Sequence, residues 1–287
     1  MTQQYLIIGA TGTVGSRIAM DLVTAGARVR ATTSRADAVG TRDGVEWVQA
    51  NLATGEGVAR AFDGVDRAFF LAPPGHADQH KLLSPLVAEA GRRKLDKVVL
   101  MTAMGANAAE TPFLRVEREL AASGVAYNII RPNWFMQNFQ TFWAQGINEQ
   151  GKILLPVGRG RASFIDARDI AAVAVRLLTT HDQDGRDFDL TGPQALDHDA
   201  VARILSEVAG RKIEYREIEP DTLRQGFLAG GVPAEYAEFL LVILDYLRQG
   251  YAERTTDAVK RLTGRDPISF EQYARENRAA WKVAKAA

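Results

Sequence analysis

Three glycines near the N-terminus have a spacing that suits the binding of a phosphate group. Gly9, Gly12 and Gly15 lie in the segment GATGTVG, after the apolar run of residues 5–8 and before an amphipathic stretch over residues 14–25. The first glycine permits a tight turn, the second lets the backbone approach a pyrophosphate, and the third lets the helix pack closely on the strand. Free amides and the helix dipole then face the anion. The pattern predicts a dinucleotide-binding turn.

The end of the second predicted strand indicates which dinucleotide binds. About 20 residues beyond such glycines, a carboxylate usually accepts a hydrogen bond from the ribose 2′-hydroxyl of NAD. Here the sequence is Thr32-Thr33-Ser34-Arg35, and no carboxylate appears before Asp37. Ser34 and Arg35 can donate to a 2′-phosphate, and Arg35 adds a planar guanidinium face. We therefore predict NADPH in preference to NADH, the alternative being that Arg35 is only a solvated loop charge.

The elements that must position these residues alternate between strands and helices. The hydrophobic pattern predicts strands over residues 5–8, 27–33, 45–50, 67–72, 97–102 and 127–131 and helices over residues 14–25, 53–62, 78–93 and 113–123. Because crossovers of this kind join parallel strands, we predict an α/β fold. The first domain, residues 1–132, is expected to be a Rossmann-like, doubly wound parallel sheet that binds the dinucleotide.

The regular alternation of strands and helices ends after Pro132, and a smaller, mostly helical region is predicted over residues 133–287. It is expected to bind the substrate and to be partly interleaved with the first domain, because the strand predicted at 186–191 could return to the sheet. The other predicted elements are a loop at 151–160, helices at 166–179 and 197–209, a strand at 213–217, and further helices from 221 to 281.

Four segments together resemble the NmrA-like branch of the atypical short-chain dehydrogenases. They are GATGTVG, RPNWFMQNF at 131–139, ASFIDARDIAAVA at 162–174 and FDLTGPQALDHDAVARILSEVAGR at 188–211. The resemblance spans nearly the whole chain and implies the Rossmann-like fold. Relatives of this type include NAD(P)H-dependent azoreductases, quinone reductases, triphenylmethane reductases and ergot-alkaloid reductases, but also redox-sensing regulators without turnover. The resemblance therefore indicates the fold more firmly than the reaction.

The acid–base pair that short-chain dehydrogenases usually carry is missing. That pair is Tyr-x-x-x-Lys, whose spacing stacks the two side chains on a helix and lets the ammonium group lower the phenol pKa. None of the seven tyrosines has a lysine four residues later, and the corresponding helix carries Phe113 and Glu117. We expect hydride donation to an electron-poor acceptor, with water able to supply a proton. Glu117 could relay protons instead, or pair with a neighbour such as Arg115 or Arg118.

The predicted cofactor site joins the glycine loop to the ends of several strands. Strand ends border the crevice in which dinucleotides bind, and the RPxxFM pattern of the family adds two residues beyond Pro132. The predicted cofactor contacts are Gly9, Thr11, Gly12, Thr13, Val14, Ser34, Arg35, Asn51, Leu71, Ala72, Pro73, Thr102, Asn133 and Phe135.

The predicted substrate contacts are mainly apolar. Met104, Trp134, Phe139 and Phe164 are expected to form a wall for a flat acceptor. Trp134 and Phe139 fit an ordinary core stripe equally well. On the C-terminal helices, Tyr236, Phe239, Leu240 and Ile243 share one predicted face and, with Phe227, could cover the pocket or form a dimer contact, so we expect a monomer or a homodimer.

A metal site is not expected. His76 and His80 lie four residues apart and could share a helix face, but no third ligand has a suggestive spacing. Asp78, between them, is better explained as the N-cap of the following helix.

Composition excludes several classes of function. Lys plus Arg and Asp plus Glu both total 35, so no net positive charge is available to attract nucleic acid or an anionic membrane. The longest apolar run, residues 239–244, is far shorter than the ~20 residues of a membrane span. There is no cysteine and hence no thiolate chemistry. With no basic and apolar leader before residue 5, we expect a cytoplasmic protein.

Two functions fit these observations. The first is an NADPH-dependent reductase that transfers hydride to an electron-poor conjugated or aromatic small molecule of the quinone, azo, iminium or enone type. The alternative is an NADP(H)-binding, redox-sensing regulator that acts through a protein partner. The apolar segment from Trp134 to Phe142 favours the enzyme, and the missing acid–base pair favours the regulator.

Overall fold

The computed structural model describes residues 3–281. The strands in this part of the chain are β1 (Gln4–Ile7), β2 (Arg28–Thr33), β3 (Gly40–Arg42), β4 (Val45–Gln49), β5 (Arg67–Leu71), β6 (Lys97–Met101), β7 (Ala126–Pro132), β8 (Lys152–Leu155), β9 (Arg161–Ala162), β10 (Arg186–Leu190), β11 (Leu196–Asp197) and β12 (Glu214–Glu217). The α-helices are α1 (Gly15–Thr24), α2 (Val58–Ala61), α3 (Gln79–Arg93), α4 (Pro112–Ala122), α5 (Ala167–Thr179), α6 (His198–Ala209), α7 (Pro220–Ala229), α8 (Ala234–Arg248), α9 (Ala258–Thr263) and α10 (Phe270–Glu276).

The chain forms two compact units, each made of two segments. The first contains Met1–Pro132 and Arg168–Asp189, and the second contains Asn133–Ala167 and Leu190–Ala287. The chain thus leaves the first unit after β7 and re-enters it for α5 and most of β10.

The first unit is built on an eight-stranded sheet with the order β10-β7-β6-β5-β1-β2-β4-β3. The pairs β4–β2, β2–β1, β1–β5, β5–β6 and β6–β7 are parallel, whereas β3 pairs with β4 in the antiparallel sense. Strand order reverses between β1 and β5, which is where doubly wound sheets bind their ligands. The Rossmann-like, doubly wound fold predicted from the sequence is confirmed.

Buried aliphatic and aromatic side chains hold the helices on this sheet. β1, β5 and β6 are short and almost wholly buried, as strands covered on both faces must be. One apolar cluster packs strand residues such as Phe70 and Leu100 against Leu83 and Leu86 of α3 and Leu120 of α4. The carboxyl ends of the parallel strands are consequently held at one edge of the sheet.

The second unit has its own core and two small sheets. β12 pairs with β8 in parallel, and β11 pairs with β9 in the antiparallel sense. The core of this unit is rich in aromatic side chains and includes Phe139, Phe164, Phe270, Tyr273 and Trp281. The helix α6 begins as predicted, because the side chain of Asp197 accepts a hydrogen bond from the amide of Ala200 at 2.8 Å.

Two predictions about local structure were wrong, and one strand was missed. The helix predicted at 53–62 is reduced to α2, because the Asn51 side chain closes a turn and Gly55 and Gly57 have positive φ angles. The strand β3 was not predicted at all. The loop predicted at 151–160 contains β8, which is a strand only because β12 supplies its hydrogen-bonding partner.

One prediction about a helix also needs correction. The N-cap position of α3 is Asp78, but its side chain makes no capping hydrogen bond. On α8, the buried residues are Ala237, Leu241, Leu244 and Leu247. The four residues predicted to share a face, from Tyr236 to Ile243, are half-buried, and a pocket cover or dimer contact there stays a prediction.

Among the helices described between residues 3 and 281, none has the length and apolar character needed to cross a lipid bilayer.

Candidate functional site

The glycine loop between β1 and α1 has the geometry of a phosphate cradle. Gly9 has a φ of +76°, and a Cβ on Gly15 would lie 2.4 Å from the Gly9 carbonyl oxygen, so the fold itself requires glycine at both positions. Gly12 is exposed, and a Cβ there would meet only the Gly9 oxygen, at 3.3 Å. The space beside Gly12 is thus open to a ligand.

The start of α1 leaves backbone donors for an anion. No side chain caps this helix and its first turn carries no acidic residue. The amides of Thr13 and Val14 have no hydrogen-bond partner within the described part of the chain. Because the helix dipole also favours negative charge here, the loop fits a dinucleotide pyrophosphate. Thr11 and Thr13 are exposed beside it, as a contact would require.

Ser34 and Arg35, which are predicted to bind the 2′-phosphate, directly follow β2. Thr32 and Thr33 are buried, whereas Ser34 and Arg35 are exposed. The Arg35 amide donates to the Thr33 hydroxyl at 3.2 Å, which fixes the turn. Within residues 3–281, the Arg35 guanidinium has no ion pair or hydrogen-bond partner. Its five donors are free for a ligand phosphate.

Asn51 follows β4 and is held by its own turn. Its side-chain oxygen accepts hydrogen bonds from the amides of Ala53 at 2.9 Å and Thr54 at 3.3 Å. Its amide nitrogen makes no hydrogen bond within the described residues and can donate to a ligand.

The other predicted cofactor residues of the first unit follow β5 and β6. Leu71, Ala72 and Pro73 are half-buried, and the Leu71 side chain packs against Gly9. Thr102 is buried and Met104 is half-buried. Since β1, β2, β4, β5 and β6 are parallel neighbours, the structure brings the predicted cofactor residues of this unit to one edge of the sheet. That they bind a cofactor stays a prediction.

Glu117 is part of a buried ion pair. Arg131 donates to both of its carboxylate oxygens, from Nε at 2.9 Å and from Nη2 at 2.6 Å. The sequence analysis expected a pair with Arg115 or Arg118, but Arg118 pairs with Glu110. Burial opposes the charge of Arg131, yet hydrogen bonds from Glu117 and Asp187 raise its pKa above the ordinary value. An arginine in an apolar strand and a glutamate on the apolar face of α4 were the signal for this pair.

Asn133, in the second unit, uses its side chain for internal hydrogen bonds. Its amide nitrogen donates to the Ser163 hydroxyl at 2.6 Å and the Ala252 carbonyl at 2.7 Å, and its oxygen accepts from the Trp134 amide at 2.8 Å. Both amide hydrogens are therefore used, and none is left to donate to a cofactor. Phe135 is half-buried and bridges to Ile165 through its backbone.

The predicted substrate residues of this unit differ in access. Phe139 and Phe164 are buried, with ring centroids 5.3 Å apart, and have no surface to offer a substrate. Their assignment as substrate contacts is corrected: they belong to the aromatic core. Trp134 is half-buried and lies 6.1 Å from Trp143, and Phe142 is 64% exposed. Trp134 and Phe142 therefore each keep aromatic surface, unlike Phe139 and Phe164.

The sequence analysis missed His198, the first residue of α6. It has no exposed surface, and its ring lies 5.5–6.1 Å from the rings of Phe139, Trp143, Phe164 and Tyr215. Neither ring nitrogen has a hydrogen-bond partner among the described residues. Burial lowers the pKa of His198 to about 4, although Asp197 opposes the shift. Its three- and four-residue spacing to the buried Val201 and Ala202 was the signal for an inward-facing side chain.

The comparisons with known proteins identify the family of this chain. The model of the NmrA-like family matches residues 1–273. The chain belongs to the NmrA-like family. The resemblance predicted from four sequence segments is thus confirmed over nearly the whole length of this NmrA-like protein.

Its relatives include reductases of similar length. An uncharacterized oxidoreductase of Bacillus subtilis, YesF, is 34% identical over 277 residues, which cover 96% of this chain and 96% of that protein. NAD(P)H azoreductase of Xenophilus azovorans is 32% identical over 289 residues, covering 97% of this chain and 99% of the azoreductase. These relatives support the predicted NAD(P)H-dependent oxidoreductase.

Solved structures share the fold. Triphenylmethane reductase of Citrobacter sp., crystallised with NADP(H), aligns with a TM-score of 0.83 over 96% of this chain and 99% of the reductase. At 21% sequence identity, this likeness shows the fold alone.

The two histidines considered for metal binding lie in different surroundings. His80 bonds Glu119 at 2.6 Å, and His76 is exposed. Over the residues that the structure describes, no group of three or more His, Asp or Glu side chains could hold a metal ion.

Proposed function

We propose that this NmrA-like chain is an NADPH-dependent reductase of electron-poor conjugated or aromatic small molecules, of the quinone, azo, iminium or enone type. The observation that carries the proposal is the exposed loop around Gly12, where the amides of Thr13 and Val14, and the Arg35 guanidinium after β2, have no partner among residues 3–281. These features fit a dinucleotide with a 2′-phosphate.

The chain's own residues then have separate tasks. The amides of Thr13 and Val14 bind the pyrophosphate, and Ser34 and Arg35 bind the 2′-phosphate. When bound, NADPH supplies the hydride. Trp134 and Phe142 present the aromatic surface on which a flat acceptor stacks, and orientation of the two reactants lowers the barrier to transfer.

The proton is not supplied by a phenol in the usual place. The helix α4 carries Phe113 and Glu117 where the acid–base pair would stand, and Glu117 is already bound by Arg131. Acceptors whose reduced form takes its proton from water, or that need no proton after hydride addition, as an iminium ion does, suit this arrangement best. That requirement favours quinones, azo compounds, iminium ions and enones over simple ketones.

The test is NADPH oxidation by the purified protein against a panel of quinones, azo dyes, iminium ions and enones, with simple ketones as controls. We expect turnover with at least one conjugated acceptor and none with the ketones. Tight NADPH binding without turnover of any acceptor would contradict the reductase and favour the nucleotide-sensing regulator.

Cofactor preference has its own test. Replacing Arg35 with Asp removes a phosphate donor and adds a charge that repels the 2′-phosphate but can accept from a 2′-hydroxyl. We expect Arg35→Asp to weaken NADPH binding by about 1–3 kcal/mol while NADH binding holds or improves. An unchanged ratio of the two affinities by calorimetry would show that another residue reads the phosphate or that the cofactor is NADH.

A further inference from the structure

The hydroxyl group of Thr102 points at a buried carboxylate. Thr102 directly follows β6, and its Oγ1 donates a hydrogen bond to Oε1 of Glu117 at 2.6 Å. Both side chains are buried. A threonine hydroxyl has one hydrogen, so this contact uses the only hydrogen that Thr102 can donate.

Glu117 is fixed in the position that receives this hydrogen. Arg131 of β7 donates hydrogen bonds to both carboxylate oxygens, which leaves the carboxylate little freedom to turn. Arg131 is held in turn by Asp187, to which its Nη1 donates, and Asp189 lies 3.7 Å from the same nitrogen. The carboxylate that faces Thr102 therefore acts as a hydrogen-bond acceptor in a preset orientation.

This arrangement sets the polarity of Thr102. With its hydrogen committed to Glu117, Oγ1 presents only lone pairs to any other group. Thr102 lies at the carboxyl edge of the sheet, two strands from β1 on the side away from β2, in the order β6-β5-β1-β2. In a doubly wound sheet whose pyrophosphate follows β1, that side receives the nicotinamide half of the dinucleotide.

We propose that Glu117 is a positioning residue that makes Thr102 a hydrogen-bond acceptor for the amide hydrogens of the nicotinamide carboxamide. The inference rests on the proposed NADPH-binding function. The carboxamide carries an NH₂ donor and a carbonyl acceptor, and only the NH₂ matches an oxygen that cannot donate. The contact fixes which way the carboxamide is turned, and with it the plane of the nicotinamide ring.

Glu117 does not relay protons in this scheme. A relay would have to take up and release a proton while Arg131 holds both of its oxygens, and protonation would break at least one of those charge-assisted hydrogen bonds. The positioning role needs the carboxylate to stay as it is.

The first experiment uses calorimetric titration of the full chain with NADPH and with adenosine 2′,5′-bisphosphate, which lacks the nicotinamide. We expect Thr102→Val to weaken NADPH binding by about 3- to 10-fold, the range for one lost hydrogen bond. Thr102→Ser, which keeps the hydroxyl, should bind NADPH within about twofold of the original chain. Neither variant should change the affinity for the bisphosphate.

The second experiment tests whether Glu117 acts through Thr102. Oε1 of Glu117 accepts from both Thr102 and Nε of Arg131, so a glutamine would keep its oxygen there and leave Thr102 unchanged. Glu117→Leu removes the acceptor, so the threonine hydrogen is free to point outward against the carboxamide hydrogens, while Arg131 keeps Asp187 as a partner. We expect this variant to weaken NADPH binding at least as much as Thr102→Val does. In the Thr102→Val background the Glu117→Leu change should have little further effect on NADPH binding. If Glu117→Leu does not fold, Thr102→Val with its serine control decides alone.

Several results would overturn the proposal. Equal NADPH affinity of the original chain and Thr102→Val is one. Another is an effect of Glu117→Leu on NADPH affinity that is as large without the Thr102 hydroxyl as with it. A Thr102→Val enzyme with unchanged affinity but an altered pH profile of hydride transfer would favour a relay. Failure of the original chain to bind NADPH at all would instead defeat the proposed function itself.

Discussion

The three glycines after β1 are constrained by different neighbours. Gly9 and Gly15 are required by the fold, because one has a positive φ and the other touches backbone, whereas a Cβ on Gly12 would meet only the Gly9 oxygen, at 3.3 Å. The sequence motif predicted the turn and a separate task for each glycine. It could not show how strictly the fold requires each glycine, because that distinction depends on what a Cβ would touch.

This distinction gives the first prediction. Gly12→Val should fold, since its Cβ meets only one carbonyl oxygen at 3.3 Å, but should weaken NADPH binding by about a hundredfold or more by filling the pyrophosphate space. Gly15→Val is the matched control and should fail to fold, because its Cβ would lie 2.4 Å from the Gly9 oxygen. Circular dichroism measures whether each variant folds, and calorimetry measures the NADPH affinity of Gly12→Val. Unchanged NADPH affinity in folded Gly12→Val would remove the site assignment.

A second prediction concerns His198 and pH. Its pKa of about 4 in the folded chain lies below the ordinary 6.5. Between pH 6.5 and 4, His198 is therefore protonated in the unfolded chain but neutral in the folded chain. The free energy of unfolding consequently falls as the pH decreases from 6.5 to 4. Between pH 7.5 and 5, this residue should cost about 2 kcal/mol of unfolding free energy.

His198→Phe should abolish this part of the pH dependence and raise stability at pH 5, since it also removes two unpartnered ring nitrogens. Urea denaturation of both chains at pH 7.5 and 5 measures the difference. If the two chains lose equal stability on acidification, the pKa of His198 is not lowered in the folded chain.

At the scale of elements, long periodic helices and buried strands were predictable, and elements defined by a distant partner were not. The strands β1, β5 and β6 carry their own signal in unbroken apolar runs. β8 is a strand because β12, some 60 residues later, pairs with it from Lys152 to Leu155. Periodicity alone could not say which face of α8 is buried, because Val242 and Tyr246 are apolar or aromatic and yet exposed.

Lys97, in β6, holds the segment between α5 and β10 on the sheet. Its side chain has no exposed surface, and its ammonium donates to the Thr180 carbonyl and to Asp184. Lys97→Met should lower the unfolding free energy by about 2 kcal/mol and speed hydrogen exchange in residues 180–185. Lys81→Met is the control, because Lys81 is exposed and 3.4 Å from Asp78, and it should change neither quantity. Equal behaviour of the two variants would mean that other contacts hold the return segment.

At the scale of the whole molecule, the sequence predicted the glycine turn after β1 better than it predicted which aromatic side chains stay exposed. Phosphate binding uses backbone turns, and turns have sequence signatures in glycine. A substrate surface depends on which aromatic side chains remain exposed after the core is packed. Trp134, Phe139 and Phe164 look alike in sequence, and only the structure shows that Trp134 keeps surface while the two phenylalanines are buried.

The last prediction follows from a reductase that works by orientation rather than by a phenolic acid. The helix α4 carries no tyrosine, and burial raises the pKa of Tyr215, whose hydroxyl donates to the Leu155 carbonyl. Single Tyr→Phe changes at all seven positions should therefore leave hydride transfer within about tenfold, whereas losing a true general acid costs about 10²- to 10⁴-fold. Trp134→Ala should lower catalytic efficiency by more than any tyrosine change, because it loosens the stacking of the acceptor. Single-turnover transfer from deuterated NADPH measures both effects. A loss beyond about a hundredfold in one folded tyrosine variant would show that a phenol outside α4 delivers the proton.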